Sequence, residues 1–182
     1  MKDVIIKPAV NALNLKIIDD FFSDSEYNIL VNNLNKISYS PNTNEFGLYG
    51  LSHEFKQNKE NKWIFDKIKN CFFPNNNKLE VLSAGFQMRD NKNNLSPHVD
   101  EDTTCAKGIY KNKFNCLIYL KGKEITYNGT GFYHKGNLNT YIGFVENRAI
   151  FFNGCDIYHT CLQGLGESSA RYTLGIFYGV KK

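Results

Sequence analysis

Arg171-Tyr172-Thr173-Leu174-Gly175-Ile176-Phe177-Tyr178-Gly179-Val180 decides how this chain is read. On a strand, successive side chains point to opposite faces. Arg171, Thr173 and Gly175 then share one face, and Tyr172, Leu174, Ile176 and Tyr178 take the other, apolar one. A strand covered on its apolar side, with an arginine turned inward on the other, is costly unless an anion meets the guanidinium. The plain alternative is an edge-strand arginine in solvent.

Working back from this strand, strand-like runs occupy residues 79–89, 114–120, 131–134 and 149–153. Turn signals separate them at residues 90–94, Lys121-Gly122, Asn128-Gly129 and Asn153-Gly154. The front of the chain differs. A first short strand is expected over residues 14–18. Ser23 and Glu26 then form a capping box, each able to satisfy an orphan N–H at a helix start. Tyr27, Leu30, Val31, Leu34 and Ile37 follow at helical spacing, and Pro41 lies beyond the stop. Residues 42–58 are polar and read as a loop. A second amphipathic helix is expected over 59–72, with Trp63, Ile64, Ile68 and Phe72 on or near one face. Helices in front and short strands behind predict an α+β, mainly β fold: two sheets in a sandwich or jelly roll, backed by the N-terminal helices.

The chain has 182 residues, which predicts one domain over 1–182 able to bury an ordinary core. Its net charge of +4 comes from 22 basic and 18 acidic residues, with lysine and asparagine scattered through the loops. This reads as a solubilising surface and argues against nucleic-acid binding. Cys71, Cys105, Cys116, Cys155 and Cys161 form an odd set without regular spacing. No signal peptide and no run of transmembrane length is found, so free thiols in a cytoplasmic setting are the expectation.

Ser96-Pro97-His98-Val99-Asp100 carries the chemistry. If extended, His98 and Asp100 face the same way and can reach one ion. Asp102 shares their parity and is a rival carboxylate; Glu101 points away. Chance supplies His-x-Asp often in a chain with four histidines. A second histidine must come from elsewhere, and His159, after the strand and turn at residues 148–154, can fold back over the sheet mouth. Two imidazoles and one carboxylate leave open metal positions, which suits non-haem Fe(II). Arg171, helped by Thr173, can hold a carboxylate through a bidentate fork. Tyr119 and Asn115 share a strand face from which either can hydrogen-bond an acidic co-substrate. Cys155-x3-His159-x-Cys161 is a competing zinc reading, but its spacing matches no usual zinc knuckle.

His98-Val99-Asp100, His159 and Arg171-Tyr172-Thr173 together resemble the Fe(II)/2-oxoglutarate-dependent oxygenases, in particular their prolyl-hydroxylase-like members. Further stretches are similar to the family's pattern: Leu15 to Ser23, which leads into the first helix; Asn115-Cys116-Leu117-Ile118-Tyr119-Leu120; Gly129-Thr130-Gly131-Phe132-Tyr133; and Asn147-Arg148-Ala149-Ile150-Phe151-Phe152. The resemblance implies a double-stranded β-helix with Fe(II) on His98, Asp100 and His159. It implies 2-oxoglutarate chelating the metal, with its distal carboxylate on Arg171 and Thr173. It also implies hydroxylation of a C–H bond by O2, with succinate and CO2 as co-products. Asp100 favours hydroxylation over halogenation, because the halogenating branch lacks that carboxylate. The Gly-x-Gly-Phe turn lacks an acidic residue often found in prolyl hydroxylases, and residues 102–113 match no substrate-binding motif. A peptide side chain and a small metabolite both remain open as substrates. The alternatives are a non-enzymatic jelly-roll binding module and a cupin-like metalloprotein that does not use 2-oxoglutarate.

Overall fold

The computed structural model describes residues 3–4, 15–44, 47–74, 79–89, 96–100, 110–123, 128–161 and 170–181. In chain order the elements are β1 (Asp3–Val4), β2 (Lys16–Ile18), α1 (Asp24–Leu34), β3 (Ser40–Asn44), β4 (Gly47–Glu54), α2 (Lys62–Phe72), β5 (Leu79–Arg89), β6 (Tyr110–Lys121), β7 (Thr130–His134), β8 (Asn137–Ile142), β9 (Ala149–Phe152), β10 (Tyr158–Cys161) and β11 (Arg171–Lys181). An eight-stranded sheet runs β1-β2-β9-β6-β11-β5-β4-β3, and a three-stranded sheet runs β10-β7-β8. All pairings are antiparallel. This is the α+β, β-dominated jelly roll that the sequence predicts.

Period-two patterning gives the large sheet two apolar faces. Cys116, Ile118 and Leu120 of β6, Ala149 and Phe151 of β9, and Leu174, Ile176 and Tyr178 of β11 join the helical residues Leu30, Leu34, Ile64, Phe65 and Ile68 in one cluster. The alternate residues Tyr119 of β6 and Ile150 and Phe152 of β9 join Phe132, Ile142, Phe144 and Ile157 in a second, between the sheets. Ile118, Phe132 and Ile150 are fully buried, each contributing about 1.5–3 kcal/mol of apolar burial.

The helices form where the sequence places them. Ser23 accepts from the Glu26 N–H, and the Glu26 carboxylate accepts from the Ser23 N–H at 2.9 Å, so the capping box is complete. Leu30 and Leu34 face the core. Asn147, at φ 61°, stitches this front segment to the sheet. Its side chain accepts from the Phe22 N–H at 2.9 Å and donates to the Phe22 carbonyl at 2.8 Å, while its own N–H donates to the Tyr119 carbonyl at 2.9 Å. Asparagine tolerates this left-handed conformation better than most residues. Beside it, Arg148 makes a two-pronged pair with Asp19.

Three expectations change. Residues 42–58 are mostly a hairpin, β3 and β4, rather than a loop. The hairpin lies at the sheet's end, where polar residues need no buried face and Pro41 on the edge strand β3 removes no needed donor. β8 and β10 were not foreseen; both are short, and β8 is largely exposed. His159 therefore sits on a strand of the small sheet. Asp102, Glu101, Cys105 and residues 90–94 lie outside the described residues. Among the described residues Cys71, Cys116, Cys155 and Cys161 form no disulfide with one another.

Candidate metal centre

β10 pairs with β7, placing His159 opposite Phe132. On its other side His159 meets His98 in an isolated antiparallel bridge, with the His98 N–H donating to the His159 carbonyl at 3.1 Å and the His159 N–H to the His98 carbonyl at 2.8 Å. Two residues on, the Asp100 N–H donates to the Gly154 carbonyl at 2.9 Å. The segment carrying His98 and Asp100 is thus held by backbone bonds to the β9–β10 connection and β10. It forms a single bridge rather than a full strand, yet both side chains turn to one point.

There His98 Nε2 stands 3.7 Å from Asp100 Oδ1, and His159 Nε2 stands 3.4 Å from Asp100 Oδ2. The three ligand atoms lie within 4.8 Å of one another. Each histidine directs Nδ1 at a backbone carbonyl, Ser96 for His98 and Ile157 for His159, both at 3.0 Å. A carbonyl only accepts, so Nδ1 carries the proton and Nε2 keeps its lone pair for a metal. His159 is 8% exposed and packs edge-on against Phe152 at 4.7 Å between ring centroids. Burial pushes its pKa below the ordinary imidazole value, against the opposing pull of Asp100, which keeps the ring neutral. Two imidazoles and one carboxylate in this arrangement can hold a divalent ion and leave positions open for other ligands. Among the described residues, Cys155 and Cys161 do not join His159 in a ligand cluster.

A cavity of about 410 Å³ opens over these three residues. Arg171 lines it and is 4% exposed. Its guanidinium donates to the Asn128 carbonyl at 3.0 Å and to the Gly129 carbonyl, and sits 5.3 Å from the centre of the Tyr119 ring. Neutral carbonyls and a ring face orient the charge without neutralising it. Among the described residues no carboxylate is seen paired with Arg171.

Thr173 and Tyr119 lie behind this arginine rather than in the cavity lining. Thr173 is 1% exposed and pairs across the sheet with Gln87 and Tyr119. The Tyr119 hydroxyl shares a 2.7 Å hydrogen bond with Thr130 Oγ1 and lies 3.4 Å from the Ile142 carbonyl, while its ring stacks on Phe144. Burial raises its pKa to about 12, so it stays a neutral donor.

Gly154 was not foreseen as part of this site, and Asn115, read from its strand face as able to reach the co-substrate, is found bonded to Asp100. The Asn115 Nδ2 donates to Asp100 Oδ2. A Cβ on Gly154 would fall on that same oxygen and on the Asn115 amide, so only glycine lets the backbone come this close.

No protein-family model matches the chain, and no curated protein does. Solved structures do match. HygX from Streptomyces hygroscopicus, with nickel and 2-oxoglutarate bound, superposes with a TM-score of 0.69 at 11% identity over 92% of this chain and 83% of that one. A prolyl hydroxylase from Trichoplax adhaerens, in complex with a hypoxia inducible factor oxygen degradation domain peptide fragment, gives 0.70 at 13% identity over 94% and 86%. The viral collagen prolyl hydroxylase of Paramecium Bursaria Chlorella virus-1 gives 0.60 at 18% identity over 91% and 96%. At these identities the likeness establishes the fold.

Proposed function

From a chain with the double-stranded β-helix of the Fe(II)/2-oxoglutarate oxygenases and a His-Asp-His set at its mouth, we propose a 2-oxoglutarate-dependent oxygenase that hydroxylates a C–H bond. The observation that carries this reading is the pairing of two features in one cavity. One is the three-residue ligand set; the other is a buried, carbonyl-oriented Arg171 with no carboxylate partner among the described residues.

His98, Asp100 and His159 would hold Fe(II), and Arg171 would hold the distal carboxylate of 2-oxoglutarate. The metal, when bound, supplies the site at which O2 and the co-substrate react to give succinate, CO2 and an oxidant for the C–H bond. The protein's share is orientation and exclusion of water. Tyr119 and the carbonyls of Asn128 and Gly129 fix the Arg171 fork, and Thr173 backs the same face. Phe152 and Leu117 supply apolar lining, which strengthens charge–charge contacts within the site. The carboxylate at Asp100 favours hydroxylation over halogenation. Two other structures with this fold are described as an α-ketoglutarate-dependent carbocyclase and an epimerase, so the reaction outcome needs its own measurement. No helix among the described residues is long and apolar enough to cross a membrane; the co-substrates expected are 2-oxoglutarate and O2.

The test is succinate formation from 2-oxoglutarate under air, with and without added Fe(II). The reading expects slow, Fe(II)-dependent succinate release that Arg171→Ala and His159→Ala each abolish. Metal-independent release, or none from iron-loaded wild type, contradicts it. With a substrate in hand, incorporation of oxygen from ¹⁸O2 into product separates hydroxylation from ring closure or epimerisation.

A further inference from the structure

By strand parity Arg171, Thr173, Gly175 and Phe177 share one face of β11, and Arg171, Gly175 and Phe177 line the cavity. The pairing registers fix what lies beside them. Thr173 stands between Gln87 and Tyr119, Gly175 between Gly85 and Leu117, and Phe177 between Ser83 and Asn115. Asn115 in turn bonds to Asp100. The strand therefore leads from Arg171 to the row that backs the metal ligands, and Gly175 lies between the two. A ligand that bridges Arg171 and the metal centre has to cross the Gly175–Leu117 row.

That row has a bare floor. Ile176 and its cross-strand partner Cys116 bury their side chains in the helix-side core, yet both border the cavity, so the cavity reaches the main chain of the sheet there. A Cβ built on Gly175 would stand 3.7 Å from Gln87 Nε2, 4.0 Å from the Gly85 carbonyl oxygen and 4.0 Å from Phe177 Cε2, all ordinary van der Waals contacts. The backbone of Gly175 is not in the left-handed region either. Alanine would fit, and in a strand interior it is the more stable residue. Gly129 and Gly154 are different, because a Cβ there would collide with the Ile142 carbonyl or with Asp100. The described fold needs glycine at those two positions and does not need it at Gly175. A strand glycine of this kind marks a place where a ligand comes close to the backbone. The space it leaves is that of one methyl group, edged by the Phe177 ring and facing Leu117 across the ladder.

We propose that Gly175 is a specificity-determining residue for the co-substrate. The niche above it takes a methyl-sized branch on the carbon chain of a 2-oxo diacid, so the site accepts branched 2-oxo diacids alongside 2-oxoglutarate. This rests on the assignment of Arg171 to the distal carboxylate of the co-substrate. The ring of Phe177 and the side chain of Leu117 make the niche suited to an apolar branch rather than a hydroxyl, which would leave water for a mostly apolar wall.

The experiment uses the full chain loaded with Zn(II), which binds without turnover. Calorimetric titration compares N-oxalylglycine, an unreactive analogue of 2-oxoglutarate, with its methyl-branched homologues N-oxalyl-L-alanine and N-oxalyl-D-alanine. Wild type should bind one enantiomer within about threefold of N-oxalylglycine and the other at least about tenfold more weakly, since a fixed niche lies on one side of the chain. An NMR cross-relaxation signal should join the methyl of the favoured enantiomer to the Phe177 ring. Gly175→Ala fills the niche from the protein side. It should weaken the favoured enantiomer at least about tenfold more than it weakens N-oxalylglycine, while its apo melting temperature stays at or above that of wild type. Gly175→Ser, of similar size, should repeat the loss of selectivity. The proposal is overturned if both enantiomers bind wild type more than about tenfold below N-oxalylglycine. It is equally overturned if Gly175→Ala weakens all three ligands alike, which would make Gly175 part of the seat of the unbranched chain. If wild type binds Zn(II) but no N-oxalylglycine, the co-substrate assignment itself has failed, a result distinct from the other two.

Discussion

The amide of Asn115 donates to Oδ2 of Asp100, the carboxylate oxygen nearer to His159, and leaves Oδ1 as the oxygen facing His98. The other end of the amide, Oδ1 of Asn115, is buried without a hydrogen-bond partner among the described residues. An unsatisfied buried acceptor costs about 1–3 kcal/mol, so this asparagine is poorly explained by stability alone. Its use is to orient Asp100. Asn115→Ala should therefore weaken metal binding by about 10–100-fold, as loss of a partner behind a metal ligand commonly does. Its apo melting temperature should stay close to wild type. Co(II) titration followed by visible absorption, with thermal denaturation of the apo protein alongside, checks both halves. A large fall in apo stability with unchanged Co(II) affinity would assign the residue to packing instead.

Gly154 is the steric counterpart of that clamp. A methyl group there lands on Asp100 Oδ2 and on the Asn115 amide. Gly154→Ala should displace Asp100, cost about 1–3 kcal/mol of stability from overpacking, and weaken Co(II) binding more than Asn115→Ala does. Denaturant unfolding and the same Co(II) titration measure the two effects.

Tyr119 orients Arg171 through its ring, while its hydroxyl is occupied by Thr130. Tyr119→Phe keeps the ring and removes the hydroxyl. It should leave 2-oxoglutarate affinity within about tenfold of wild type, whereas Arg171→Ala removes a charge-assisted contact and should cost far more. Calorimetric titration of the metal-loaded variants makes the comparison. Equal losses would place the Tyr119 hydroxyl on the co-substrate.

The Asp19–Arg148 pair predicts a pH effect. The hydrogen bond from Arg148 holds the Asp19 carboxyl below its ordinary value of 3.8, against the opposing effect of burial and with help from the Arg148 charge. A carboxyl lowered in the folded state contributes stability above its unfolded pKa and loses it as pH falls through the folded one. The stability gap between wild type and Asp19→Asn should be flat near neutrality and close in the acid range, below the ordinary carboxylate value. Urea unfolding at several pH values tests the sign. The side chain of Asp19 is 43% exposed, so the gap should be small.

Asn147 should matter more. It joins Phe22 by two buried hydrogen bonds and adopts a left-handed backbone. Asn147→Ala loses both bonds and adds backbone strain, for about 2–5 kcal/mol in all. Thermal denaturation should show a melting temperature well below that of Asp19→Asn.

Strand parity made much of this legible in the sequence. The alternation in β11 sets Arg171 and Thr173 against Leu174 and Ile176, and the fold keeps that division. The capping box of Ser23 and Glu26 could be read because it is local. What escaped was non-local or weakly patterned. β3 is polar and forms the sheet's edge, which relaxes the apolar alternation that marks a strand, and β4 is recognised only by its pairing with β3 and β5. β10 is four residues long and owes its existence to pairing with β7 and to the bridge at His98. The contact of Asn115 with Asp100 spans separate segments, so no spacing rule announces it. Asn147 and Phe22 were each part of a noted stretch, yet only the fold shows that they bond to each other.

Anaerobic addition of Fe(II) and 2-oxoglutarate, followed by visible absorption, tests the central claim most directly. The account predicts a metal-to-ligand charge-transfer band from the chelated keto acid in wild type. That band should be absent in His159→Ala, and in Arg171→Ala it should appear only at much higher 2-oxoglutarate. No band in iron-loaded wild type, or an undiminished band in His159→Ala, would contradict it.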